Sequence, residues 1–299
     1  MAGGLLVVGT PIGNLEDMTP RAIRALEEAD LIAAEDTRVS RKLLTHFGIR
    51  TPMVSYHQHN QAQSGPALAD RMADGAVCAI ITDAGMPCIS DPGQELVRLC
   101  HDRGLPVWVV PGPTAALSAL AASGLPTDRF AFEGFLAVKK SRRAQHLEEI
   151  RDDPRTLIFY EAPHKLRATL DDLAQVLGPE RPVSLCRELT KLHEEIWRTT
   201  LGEAQALYRD RDPRGEYVLV VAGAPPRQAP PPVSLEQAAL LVVQLAGCGV
   251  SLSQAAKTVA EDTGYRKGEL YRLALVQAPG PGQQEDEDDY QGEAQEEAP

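Results

Sequence analysis

Apolar residues along the first part of the chain fall into two rhythms. Short unbroken runs (LLVV from Leu5, LIAA from Leu31, VCAII from Val77, VWVV from Val107) are bounded by glycine, proline or charge. Such runs read as strands covered on both faces, since a strand covered on one face would alternate. Between them, PRAIRALEEA, the segment from Arg38 to Phe47, GQELVRLCHDRG and TAALSALAAS carry apolar positions three and four apart, as amphipathic helices do. Thr19 is placed to cap the first of these with Pro20 at its first position, and Thr114 to cap the last. Strand, loop and helix in repetition predict a mainly parallel sheet with helices on both faces.

After Leu125 the pattern changes. FAFEGF, RTLIFYEA, PVSLCREL, EEIWRTTL and EYVLVVA are strand candidates, with helices expected near Arg142 to Arg151, Pro163 to Leu177 and Gly202 to Arg211. The last three strands have little more than one helix among them, which fits a mixed, partly antiparallel sheet. APPRQAPPP then reads as an extended linker. Beyond it, Ser234 with Gln237 and Ser251 with Gln254 match the Ser-x-x-Gln capping box, and ELYRLALV supplies a third helix. The expected organisation is an α/β domain over 1–124, a second over 125–223, a linker over 224–233, a helical module over 234–278 and an acidic, disordered tail over 279–299.

Composition narrows the function classes. Hydrophobic residues make up 43% and charged residues 24% of the 299, enough apolar material for real cores. No uncharged apolar run approaches the roughly 20 residues of a membrane-spanning helix. The net charge of −12 resides largely in the tail: Gln283 to Pro299 holds eight acids and no base, so the rest nets −4 and leaves basic patches free to meet a polyanion. Five widely spaced cysteines without a Cys-x-x-Cys pair argue against structural zinc and a disulfide framework. With no signal-peptide pattern at the amino end, a reducing cytoplasm is expected.

The chemistry lies in loops that follow strands. GTPIGNLEDMT, Gly9 to Thr19, has the position of a dinucleotide fingerprint but lacks Gly-x-Gly-x-x-Gly, and Pro11 occupies a place where a donor amide would face pyrophosphate. A ligand without phosphates suits it better. TDAGMPCISDPG, Thr82 to Gly93, and PGPTAAL, Pro111 to Leu117, belong at the carboxyl edge of the sheet, where α/β ligands bind. AAEDTR supplies Glu35, Asp36 and Arg38, and CRELTK supplies Arg187, Glu188 and Lys191. These are candidates for a base and its orienters, and equally for structural ion pairs, Asp36 with Arg38 and Glu188 with Lys191. His57 and His59 in SYHQHN would share one strand face, but a metal lacks a third ligand in register, and RNA contact or a polar surface loop reads better. KKSRR places Lys139, Lys140, Arg142 and Arg143 at a helix amino end, where cations oppose the dipole unless a phosphate accompanies them; Lys165 and Arg167 extend that patch. In the helical module Gly264, Tyr265, Arg266, Lys267 and Arg272 suggest either an RNA foot or a dimer-packing surface.

Taken in order, GTPIGNLEDMT, AAEDTR, DAGMPCISDPG, PGPTAALSALAASGLPTDRF, FEGFL, FYEAPHKL and CRELTK resemble the tetrapyrrole-methylase-like (class III) family of S-adenosylmethionine methyltransferases, in its branch acting on small-subunit ribosomal RNA. The resemblance runs to Ala222 and extends to a small helical carboxyl domain. It implies two α/β domains with S-adenosyl-L-methionine folded in the cleft between them, a homodimer, and 2′-O-methylation of a cytidine ribose in the decoding region of 16S ribosomal RNA. It further implies donor contacts at Pro11, Asp83, Gly85, Met86, Thr114 and Ala115, with Ala162 and Val221 from the second domain. Other class III substrates, a tetrapyrrole or the diphthine precursor, would call for a pocket without a basic approach, and a non-catalytic assembly factor would bind RNA but not the donor.

Overall fold

The computed structural model describes residues 3–226 and 233–277. Most of the proline-rich segment and the whole acidic tail therefore lie outside the described residues. Contacts divide the chain into two compact units, the division falling between Pro225 and Pro226.

The first unit opens with β1 (Gly4–Val8), α1 (Pro20–Glu28), β2 (Leu31–Ala34), α2 (Thr37–His46), β3 (Met53–Ser55), α3 (Gln61–Ala73), β4 (Val77–Ile81), α4 (Gln94–Asp102), β5 (Val107–Val110) and α5 (Ala115–Ser123). The five strands form one parallel sheet in the order β3-β2-β4-β1-β5. As the unbroken apolar runs require, both faces are covered. Leu6 and Val8 pack with Ala22, Leu26 and Leu44 on one side, and Leu5 and Val7 with Leu68, Met72, Leu96 and Cys100 on the other. Thr19 caps α1 with Pro20 at its first position, and Thr114 caps α5 by accepting from the Leu117 amide at 3.2 Å.

The chain continues through β6 (Phe130–Phe135), α6 (Lys140–Glu149), β7 (Thr156–Glu161), α7 (Leu166–Leu177), β8 (Pro182–Arg187), β9 (Glu195–Thr200), α8 (Leu201–Asp210) and β10 (Tyr217–Val221). These strands form a second sheet in the order β6-β7-β10-β8-β9, with β6 parallel to β7 and the remaining pairs antiparallel. Its residues alternate between faces. Leu157, Phe159, Val183, Leu185, Leu219 and Val221 pack with α6, α7 and α8. Ile158, Cys186, Val218 and Val220 face Ala116, Ala119 and Leu120 of α5. Thus α5, which follows the first sheet in sequence, buries its apolar side against the second, and both sheets belong to one unit.

In the second unit α9 (Leu235–Gly247), α10 (Leu252–Thr263) and α11 (Lys267–Gln277) pack around Ala238, Val242, Ala255, Val259, Leu270 and Ala274. Ser234 and Gln237 make the full reciprocal capping box, while Ser251 accepts from the Gln254 amide. No helix among the described residues is long and apolar enough to cross a membrane.

Candidate active site between the two sheets

Three loops meet at the carboxyl edge of the parallel sheet. Thr10 and Gly85 exchange backbone hydrogen bonds at 2.9 and 3.1 Å, joining the loop after β1 to the loop after β4. Gly9 lies so close to the loop after β5 that a Cβ on it would stand 2.7 Å from Gly112 Cα and 2.6 Å from Met86 Sδ. Only glycine permits this approach of main chain to main chain.

Facing them are the ends of β6, β7 and β8 and the start of β10. Between the two sets lies a cavity of about 390 Å³. Ile12, Gly85, Met86, Ser90, Asp91, Thr114 and Ala115 line it from the first sheet's loops, and Phe135, Tyr160, Glu161, Ala162, Cys186, Lys191, Tyr217 and Val218 from the second sheet. The volume is within the range of pockets that enclose a small-molecule ligand. The loops carry strained backbone: Cys88 (φ 73°) and Ser90 (φ 64°) on one side, Glu188 (φ 51°) and Thr190 (φ 65°) on the other, all non-glycine residues in the left-handed region.

The cavity has an acidic side. Asp91 lines it, and its carboxyl is pushed up to about 7, by burial first and then by the charges of Glu35 and Asp83. Desolvation raises Glu35 and Asp83 as well, and the Asp83 charge adds to the rise at Glu35. Asp83 also accepts from the Asp36 amide at 3.2 Å. Because β2 and β4 are sheet neighbours, the segments that follow them converge here. Half-buried carboxylates close enough to raise a neighbour's pKa make a local field that a cation relieves.

Of the residues singled out from sequence, Gly85, Met86, Thr114, Ala115, Ala162 and Lys191 line the cavity. Pro11 is buried beside Ile12, and Asp83 immediately precedes the lining residue Ala84. Val221 stands elsewhere, in the core beneath α6 to α8; Val218 is the β10 valine on the wall. Asp36 and Arg38 form a two-pronged ion pair at 2.7 and 3.1 Å that holds the Asp36 carboxyl well below its usual range, with Arg38 89% exposed. Arg187 pairs with Glu195 at 3.0 Å. Glu188 accepts from Lys191 at 2.9 Å, and Lys191 also reaches Glu216 at 2.7 Å. Burial opposes the charge on Lys191, but these two carboxylates hold its ammonium above the ordinary range.

The basic residues separate in the same way. Lys139, Lys140 and Arg142 are exposed, whereas Arg143 is 16% exposed and bonded to Asp172 at 2.5 Å. Arg167 is held by Asp212 and the Tyr208 carbonyl. In the second unit Arg266, just before α11, and Lys267, its first residue, are exposed. His57 and His59 lie beyond β3, in a turn where the His57 amide donates to Asn60 Oδ1 at 2.8 Å, so they do not share a strand face. Among the described residues no three His, Cys, Asp or Glu side chains gather in a way that could hold a metal.

Sequence reasoning missed Asp91, Tyr160 and Phe135. Asp91 stood inside a motif already recognised as special, and a carboxylate in so glycine- and proline-rich a loop was the available signal. The two aromatics gave none.

The chain matches the tetrapyrrole (corrin/porphyrin) methylases over residues 4–205. It is 49% identical over 273 residues to ribosomal RNA small subunit methyltransferase I of Synechocystis sp., covering 91% of this chain and 98% of that one. To the enzyme of the same name from Escherichia coli O157:H7 it is 45% identical over 278 residues, covering 92% and 96%. Among solved structures, a cobalt precorrin-4 methyltransferase superimposes with a TM-score of 0.55 at 18% identity, covering 73% of this chain and 94% of the other. Diphthine synthase gives 0.55 at 12% identity, covering 73% and 90%.

Proposed function

Since the chain belongs to the ribosomal RNA small-subunit methyltransferase I family, within the tetrapyrrole methylases, we propose that it methylates the ribose 2′-oxygen of a cytidine in 16S ribosomal RNA. The donor is S-adenosyl-L-methionine, held in the cavity between the sheets. The observation that carries this reading is one cavity that combines glycine-shaped loops lacking the phosphate-binding fingerprint with Asp91, whose carboxyl is raised by burial and then by nearby Glu35 and Asp83. That combination favours a cationic small molecule over a polyphosphate. When bound, the donor supplies a methyl group on a positively charged sulfur.

The chain's own residues supply the rest. Gly85 has only main chain to offer, and its φ of 85° is a conformation that residues with a side chain rarely adopt. With Met86, Thr114, Ala115 and Ala162 it forms the donor's walls, and Pro11 and Asp83 brace the loops behind them. A ribose hydroxyl must lose its proton as it attacks, and a base works best with a pKa near the working pH. Asp91 lines the cavity and has such a value, about 7, so it is the proton acceptor in this reading. Lys191 stays charged between Glu188 and Glu216, and these bonds fix the loop after β8 at the same wall. Asp36, Arg38 and Arg187 act through the ion pairs that shape the loops.

A homodimer belongs to the same reading. Edge strand β5 exposes Val109 and α5 exposes Leu117, an apolar margin that a second copy would cover. The ribosomal substrate sets the reaction in the cytoplasm. The test offers tritiated S-adenosylmethionine with two acceptors in parallel: small ribosomal subunits from cells lacking the endogenous enzyme, and uroporphyrinogen. Label in the RNA alone supports the proposal; label in the tetrapyrrole, or in neither, refutes it.

A further inference from the structure

Two of the residues lining the cavity are large, apolar and exposed: Ile89 and Phe135, the latter 56% open to solvent. They stand at its mouth. Phe135 reaches this position through an irregularity in β6. Phe132 pairs with Ile158 and Phe135 with Tyr160, and the register shifts between Phe132 and Gly134. In an unbroken strand, residues three apart point to opposite faces. The extra residue, with Gly134 at φ 63°, turns Phe135 onto the same face as Phe132, toward the cavity. Bulges beside active sites re-aim side chains in this manner. The Phe135 ring meets Tyr160 edge to face, with centroids 5.5 Å apart, while the neighbouring Leu136 supplies the buried core contact. Folding alone gives no reason for an aromatic ring turned outward here.

The segment that follows is held rigidly. Arg143 donates to the Ala137 and Val138 carbonyls at 3.2 and 3.3 Å while Asp172 anchors its other side. This brace presents Lys139, Lys140 and Arg142, for which no ion pair or side-chain hydrogen bond is found among the described residues, at a helix start with no side-chain cap. Cations beside the positive end of a helix repel it, and an anion removes the conflict.

We propose that Phe135 is the stacking surface for the target base turned out of the RNA, and that Lys139, Lys140 and Arg142 hold the phosphates flanking that nucleotide. This rests on the RNA-methylating reading and adds to it how the substrate nucleotide is received. A ribose oxygen reaches a donor enclosed between the two sheets most directly when its nucleotide leaves the stack, and an aromatic face at the pocket mouth offsets the lost stacking without selecting by hydrogen bonds.

The test compares Phe135→Ala, Phe135→Leu and Phe135→Trp with the wild type in methyl transfer to small subunits, alongside calorimetric binding of S-adenosylmethionine. Stacking on an aromatic face predicts that Phe135→Ala lowers kcat/KM for subunits by roughly 10-fold or more, that Phe135→Trp restores most of it, and that Phe135→Leu does not. The dissociation constant for the donor stays within about twofold, because the ring serves the RNA. An alanine variant as active as wild type overturns the proposal. So does an equal loss of donor affinity, which would assign the ring to the donor. A wild-type protein that labels no RNA overturns the underlying function instead, and is seen before any variant is compared.

Discussion

The backbone amide of Ala116 donates to the Tyr160 hydroxyl at 3.1 Å, tying the first turn of α5 to β7 beside the cavity. The helix thus spends one of its free amino-terminal amides on the second sheet. Burial pushes the Tyr160 hydroxyl up, so it stays protonated throughout the neutral range. Tyr160→Phe strands a buried amide, which costs about 1–2 kcal/mol. Thermal unfolding is expected to fall by roughly 2–8 °C, with a higher KM for S-adenosylmethionine as the wall loosens.

Asp91 links stability to pH. Its folded-state pKa of about 7 lies above the ordinary value of 3.8, so the folded protein binds the extra proton. The associated stabilisation is complete below the ordinary value and is lost as pH rises through about 7. Asp91→Asn removes the charge and should raise stability by roughly 1–2 kcal/mol at pH 8 and by little at pH 4. The same variant should lose methyl transfer by about 100-fold or more if the carboxylate accepts the ribose proton. Denaturant titrations at the two pH values, beside methylation rates, check both halves.

Gly9 and Gly85 separate two uses of glycine at one site. At Gly9 the obstacle is contact: a Cβ 2.7 Å from Gly112 Cα forces two loops apart. At Gly85 the space is ordinary and the obstacle is φ 85°. Gly85→Ala should cost about 1–2 kcal/mol and fold. Gly9→Ala should abolish donor binding or the folded state altogether, as seen by calorimetry and circular dichroism.

The KKSRR run divides into two roles. Reversing Lys139, Lys140 and Arg142 to glutamate should leave thermal stability at or slightly above that of wild type, since acids suit the amino end of α6 where these cations oppose its dipole. RNA affinity should fall, and the slope of log K against log salt should drop by about 2–3. Arg143→Ala should instead lower the unfolding temperature, because Asp172 and two carbonyls lose their partner.

Much of this was legible in the chain because buried parallel strands write themselves as unbroken apolar runs. The short β3 and the following α3, with Pro66 inside it and no side-chain cap, carry too weak a pattern to be read. The raised Asp91 owes most to burial and the rest to Glu35 and Asp83, which meet only because β2 lies beside β4, and neither burial nor strand order is written locally. Val218 and Val221 look alike in sequence; their parity along β10 decides which one faces the cavity. Arg143 reads as one more surface cation until α7 brings Asp172 to it from 29 residues away. The turned-out Phe135 depends on a bulge, which no alternation predicts.

The central claim is transfer of a methyl group to a ribose oxygen of small-subunit RNA. Its most direct measurement is mass spectrometry of nucleosides from 16S ribosomal RNA, before and after small subunits from cells lacking the enzyme are incubated with purified protein and S-adenosylmethionine. A gain of 2′-O-methylcytidine at one position in the decoding region is expected. Unchanged ribose methylation, or a new methyl group found on a base, would contradict it.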